Sequence, residues 1–192
     1  MQNRFVVSLA ALASMAAVAP AFAQDAAAPA AANGGRTMEY GIDAGVSLNM
    51  GTPKVTTVSI PVGTFRAGFY VNDRVSLEPM VNFSSHSGGG ASSYDYNAAL
   101  GLLWHFHDSP VGNGPYIRPF AGFTGSHFSG GSSSGSSSDG LAGAGLGVKL
   151  PWGERMAWRF EANYTHVFES NNTPGFSNNN IGLNAGISYF VR

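Results

Sequence analysis

The residue types in this chain that could do chemistry are few and scattered. His166, Glu169 and Ser170 supply a base, an acid and a nucleophile within a short stretch. A relay of that kind needs hydrogen-bond contact between its members. On an extended strand, residues four apart such as His166 and Ser170 stand about 13 Å apart. His105 and His107 could share a metal, but two imidazoles without a third ligand leave a zinc-type set incomplete. Gly143, Gly145 and Gly147 are not spaced as GxGxxG and open no helix, so a nucleotide site is unsupported. There is no cysteine, which excludes disulfides, thiol catalysis and thiolate metal sites. The remaining candidates are nine charges: Glu39, Asp43, Arg66, Glu78, Asp95, Arg118, Lys149, Arg159 and Glu161. They form either an ion-pair network that neutralises buried charge or a gated ion path. Which of these they form depends on the elements that position them.

The clearest element is Thr37 to Met50. Its even positions, from Met38 through Tyr40, Ile42, Val46 and Leu48, are apolar, and its odd positions are polar or glycine. A period of two predicts a β-strand with two unlike faces. Its length exceeds the five or six residues usual in soluble proteins and matches what a bilayer-crossing barrel strand requires.

Seven further strands are predicted. They cover about Val58 to Val71, Val75 to Phe83, Tyr94 to Phe106 and Tyr116 to Gly125, then Leu141 to Leu150, Met156 to Thr165 and Ile181 to Val191. Pro79 is awkward because it removes a ladder hydrogen bond, yet the alternation continues on both sides of it. In the fifth strand Ile117, Pro119, Ala121 and Phe123 are placed outward and Arg118 inward. The Gly/Ser/Asn-rich stretches Ser84 to Ser93, Ser126 to Asp139 and Glu169 to Asn179 are read as loops, with tighter turns between the other strands. Longer loops on one rim and shorter turns on the other is the asymmetry of a transmembrane barrel.

All nine strand-borne charges fall on the Gly/Ser/Asn face and none on the apolar face. A charge facing mid-bilayer lipid costs about 2–4 kcal/mol for Arg or Lys, so lipid would impose this segregation. Only 11% of the residues are charged, against roughly 25% in soluble domains, yet 26 glycines and many Ser and Asn keep the mean hydropathy neutral. A net charge of −1 gives no nucleic-acid signal. The rival is a soluble barrel with the apolar face inside. It would have to bury Trp104, Phe106, Trp158 and Phe160 behind a poorly charged surface.

Residues 1–23 have the pattern of a cleavable signal peptide. Arg4 gives the positive start, Phe5 to Val18 the apolar core, and Ala21-Phe22-Ala23 the cleavage site. Residues 24–36 read as a flexible linker, leaving 37–192 as the barrel domain.

This region resembles the small eight-stranded outer-membrane β-barrels of the OmpA/OmpX type. The likeness is carried by the strand plan, by the block FRAGFYVNDRVSLEPMVNFS, and by an ending with Asn184, Gly186, Tyr189 and Val191. That ending is similar to the family's assembly signal, although Arg192 stands where an aromatic residue is usual. The resemblance implies an all-β, antiparallel up-and-down barrel in the outer membrane, without cofactor. It also implies outer-membrane lipid and lipopolysaccharide as surroundings and the barrel-assembly machinery as a biogenesis partner. A non-enzymatic role in envelope structure or surface contact is expected, with a lumen filled by side chains. The alternatives are a narrow pore or an OmpW-like carrier of small apolar molecules, and then a lipid A-modifying enzyme. That enzyme's tight His-x-Ser spacing is absent here. Gly45, on the lumenal face, is expected to tolerate alanine if the lumen has space.

Overall fold

The computed structural model describes residues 37–49, 57–59, 62–88, 90–107, 114–130, 133–168 and 178–191. Residues 1–36, where a signal peptide and linker are expected, lie outside the described residues, as do residues 50–56 and 60–61 and residues 169–177 with Glu169 and Ser170. The strands are β1 (Met38–Asn49), β2 (Thr57–Ser59), β3 (Val62–Tyr70), β4 (Val75–Gly88), β5 (Ala91–His105), β6 (Gly114–Gly130), β7 (Ser133–Pro151), β8 (Met156–Val167) and β9 (Asn178–Val191).

Every neighbouring pair is antiparallel, and β1 pairs with β9 from Met38↔Val191 to Asn49↔Asn180. The sheet therefore closes on itself, which leaves no open edge at bilayer depth. β2 and β3 pair with successive parts of β1 and lie on one stave, so the barrel has eight. The expected strand from Val58 to Val71 carries one irregularity. Thr64 pairs with Asp43 but Val62 with Ala44, so one extra residue bulges from the ladder.

The period of two decides what each face meets. Ile42, Phe65, Val81, Leu100 and Trp104 stand on the outer surface, where Leu183 is 64% exposed. Glu39, Glu78, Lys149 and Arg159 are buried inside. In water a continuous apolar exterior of this extent would be unstable, and in lipid it is the required surface. Trp152 and Trp158 stack at 5.2 Å near the tight turns, where interfacial aromatics belong. Ile117, Pro119, Ala121 and Phe123 are all exposed and Arg118 is buried, which settles the register of β6.

Two expected loops are mostly strand. Ser84 to Ser93 lies almost entirely in β4 and β5, and Ser126 to Asp139 in β6 and β7. Backbone ladders need no particular side chain, so serine and glycine extend a hairpin once its register is fixed lower down. At 19 residues, β7 is far longer than the 9–11 residues a tilted strand needs to cross the bilayer. β4 to β7 therefore rise above the rest of the barrel as a four-stranded wall. The β7–β8 ladder ends at Leu141↔Val167. Above it the described residues of β8 meet β7 only through a bond from Phe168 N to Gly140 O at 2.8 Å.

Candidate functional site: an ionic plug beneath a polar cup

Inward alternation brings eight of the nine predicted charges into one network. Lys149 Nζ donates to Glu39 Oε2 at 2.5 Å, and Glu39 Oε1 accepts from Arg66 Nη1 at 3.3 Å. Arg66 Nη1 also donates to Glu78 Oε2 at 3.2 Å, and its Nη2 to Asp43 Oδ1 at 2.9 Å. Arg159 holds Glu78 through both terminal nitrogens, at 2.6 and 3.1 Å, and reaches Glu161 Oε2 at 2.7 Å. Arg118 closes the chain with a two-pronged grip on Glu161. The cations Arg66, Arg118, Lys149 and Arg159 are matched by the carboxylates Glu39, Asp43, Glu78 and Glu161. Pairing of this completeness offsets the large desolvation penalty of buried charge.

Two tyrosines complete the plug and were not singled out from the sequence. Tyr70 OH donates to Glu39 at 2.8 Å and accepts from Lys149 at 2.9 Å. Tyr116 OH donates to Glu161 at 2.8 Å and accepts from Arg159 Nε at 2.6 Å. Parity was the available signal: Tyr70 shares a face with Arg66, and Tyr116 with Arg118. Lys149 Nζ lies 5.6–5.7 Å from the ring centres of Tyr70, Tyr116 and Phe190, close enough for cation–π attraction.

Glycines make room for these long side chains. A Cβ at Gly41 would meet Arg66 Nη2 at 2.5 Å, one at Gly101 would meet Arg118 Cδ at 3.1 Å, and one at Gly145 would meet Glu161 at 2.7 Å. At Gly45 the Cβ would strike the Asn184 side chain and lie 2.6 Å from the Leu183 carbonyl. The expectation that Gly45 tolerates alanine is therefore overturned, because a backbone atom cannot swing aside.

The ninth charge, Asp95, stands apart from the plug. Together with Asp139 it lines a cavity of about 1190 Å³ in the hairpin half of the lumen, whose wall also includes Asn82, Asn97 and Thr124. The expected filled lumen is thus only half right. The turn half is packed with ionic and aromatic side chains. Among the described residues the hairpin half is a cup, because small Ser, Asn and Thr side chains do not reach the axis.

The other candidates do not converge. His105 is buried with Nδ1 3.2 Å from Arg74 O, while His107 lies exposed beyond the end of β5. Among the described residues no group of three His, Cys, Asp or Glu could hold a metal. His166 Nδ1 is 2.8 Å from Asn179 Oδ1, and its ring meets Phe168 edge-on. In the ending of the chain, Asn184 lines the cup and Gly186 is buried, while Tyr189 and Val191 face outward.

The family described as "Outer membrane protein beta-barrel domain" matches residues 8–188. No curated protein matches the chain by sequence. Among solved structures, Neisserial surface protein A (NspA) is similar with a TM-score of 0.64 at 14% identity, over 79% of this chain and 96% of that one. The N-terminal β-barrel domain of Pseudomonas aeruginosa OprF gives 0.51 at 18% identity, over 79% and 97%. The attachment invasion locus protein Ail of Yersinia pestis gives 0.51 at 12% identity, over 80% and 99%. These likenesses are of fold.

Proposed function

Because the chain belongs to the outer-membrane protein β-barrel domain family and resides in the outer membrane, we propose that it is a non-enzymatic, non-conducting barrel that acts through its outer end. The observation that carries this reading is the balanced ionic plug. Arg159 on β8 and Glu78 on β4 lie on opposite sides of an eight-stave ring and meet in its middle. An axial path for ions would have to break that pair. The tight turns lie at the plug end and the long hairpins at the cup end. In outer-membrane barrels the longer connections are extracellular, so the cup opens to the outside. The wall of β4 to β7 then offers a polar surface to a partner. Lipopolysaccharide would surround this end, the ending at Asn184, Gly186, Tyr189 and Val191 would address the assembly machinery, and residues 1–23 would be removed on export. Single-channel recording in planar bilayers tests the reading. The refolded protein should give no steady conductance, and a reproducible open level would contradict it.

One observation favours the alternative of carrying small apolar molecules. The β3–β4 ladder lacks pairs between Arg66↔Met80 and Phe69↔Leu77, at Pro79. An apolar recess of about 530 Å³ opens there on the lipid face and shares Met80 and Val81 with the cup. The polar lining of the cup favours the first reading, because an apolar solute gains nothing from Asn, Ser and Asp walls.

A further inference from the structure

The recess on the lipid face is built by a row of residues that runs across four staves. Tyr189 on β9 pairs with Tyr40 on β1, and Tyr40 with Ala67 on β3. Ala67 in turn stands opposite Pro79 on β4, where the ladder lacks rungs between Arg66↔Met80 and Phe69↔Leu77. Pro79 brings no N–H to that rung, and Ala67 brings a side chain of a single carbon. The outward rows on either side of this pair are large. Phe65 pairs with Val81 on one side and Phe69 with Leu77 on the other, and all four are exposed. A small floor between large walls is a groove, and Tyr40 and Ile42 bound it on β1.

The chemistry of this groove admits one kind of occupant. No carboxylate lines it, and Arg66, which borders it, turns its guanidinium inward to Glu78 and Asp43. The groove is continuous with the exposed belt of Ile42, Phe65 and Val81, the surface that the barrel presents to lipid. At bilayer depth no water is present to fill it, so its occupant is hydrocarbon. A volume of about 530 Å³ lies within the range of about 300–1,000 Å³ common for small-ligand sites. Lipid tails are as apolar as the walls, so preference for one chain over its neighbours rests on van der Waals contact. A chain in the groove meets side chains on three flanks, whereas a chain on the smooth belt meets them on one.

Depth names the leaflet. Ala67 lies four residues up β3 from Val71, whose N–H bonds Val75 O at the tight turn. That is about 13 Å along the strand, or about 10 Å along the barrel axis at the usual tilt of about 35–45°. In an apolar band about 25 Å tall, Ala67 therefore sits in the half nearer the turns. We propose that the recess seats one acyl chain of a phospholipid from the periplasmic leaflet, held in preference to the lipid around it. Lipopolysaccharide at the cup end lies on the other side of the bilayer. The choice of leaflet rests on the orientation proposed above, with the tight turns periplasmic, whereas the groove itself does not.

The experiment is native mass spectrometry of the full barrel, extracted from outer membranes in mild non-ionic detergent. Ala67→Phe fills the groove, and Leu146→Phe enlarges an exposed residue of β7 outside it. Each variant is used after it has shown the unheated gel mobility of a closed barrel. The parent and Leu146→Phe should retain one phospholipid at collision energies that strip the remaining lipid and detergent, and Ala67→Phe should lose it. Retention by none of them, or by Ala67→Phe as by the parent, would overturn the proposal through the groove. Lipopolysaccharide retained in place of phospholipid would overturn it through the orientation, so the two failures are distinct. Should Ala67→Phe fail to assemble, the parent chain decides alone. It is refolded into vesicles of dioleoylphosphatidylcholine doped with a phosphatidylcholine that carries a mid-chain diazirine. Adducts should concentrate on β3 and β4 around Ala67 and Pro79, and adducts spread evenly over the outward residues of β7 and β8 would be equally fatal.

Discussion

Arg159 and Glu78 meet across the full width of the barrel. Nη1 lies 2.6 Å from Oε2 and Nη2 3.1 Å from Oε1, on strands 81 positions apart in sequence. Their pairing ties opposite walls together at the level where the lumen is closed. Arg159→Met would leave Glu78 on weaker contacts to Arg66 and Arg118 and strip Glu161 of one donor. Loss of one member of a buried ionic set costs about 3–5 kcal/mol. Urea unfolding in lipid vesicles, followed by tryptophan fluorescence, should show that loss; a cost under about 1 kcal/mol would remove the plug from the account.

Glu39 and Lys149 should behave as a coupled pair. Glu39→Gln leaves a fully buried ammonium without its paired carboxylate, and should destabilise strongly. Lys149→Met should be milder, because Glu39 keeps Arg66 and Tyr70. The double variant should recover much of the cost of Glu39→Gln, since it also removes the buried ammonium that the single variant leaves without a counter-charge. A double-mutant cycle measures this, and strict additivity would count against coupling.

Glycines of the ladder should separate into two classes. Gly45→Ala and Gly186→Ala would each press on a backbone carbonyl, that of Leu183 or Ile42. Overpacking of this kind costs about 1–3 kcal/mol. Gly135, on the high hairpin wall, has open space around it, and Gly135→Ala should stay within about 0.5 kcal/mol of the parent. The same urea titrations decide, and equal effects in both classes would refute the packing argument.

The closing seam should be intolerant of proline. β1 is paired along its whole length with β9, so Val46 has no free-edge position where a lost N–H would pass unnoticed. Val46→Pro should abolish the heat-sensitive gel mobility of the closed barrel. A normal shift would mean that the seam is not needed for closure.

Much of this was legible because the barrel obeys a single rule. Alternation alone puts Ile42 out and Asp43 in, and the complete absence of charge from the apolar face identifies lipid as the outer solvent. Parity, however, gives direction and not reach. It placed Arg66, Arg118 and Glu161 inside, but not their convergence near one level, which follows from the stagger of the strands. For the same reason it could not show that Asp95 stands above that level, beside an open cup. The Ser/Gly tract from 126 to 139 misled because its composition is that of a linker, whereas its backbone simply continues a ladder set by Phe120↔Gly143 and its neighbours.

The central claim is a cup open to the outside above a closed plug, and the cysteine-free chain allows a direct test. Asp95→Cys places one thiol in the cup, and Ser76→Cys places one in the buried turn half. Intact cells are treated with a maleimide on a polyethylene glycol chain too large to pass porins. The account predicts rapid labelling of the cup thiol and none of the thiol below the plug until the barrel is unfolded. Equal labelling of the two, or an unreactive cup thiol, would contradict it.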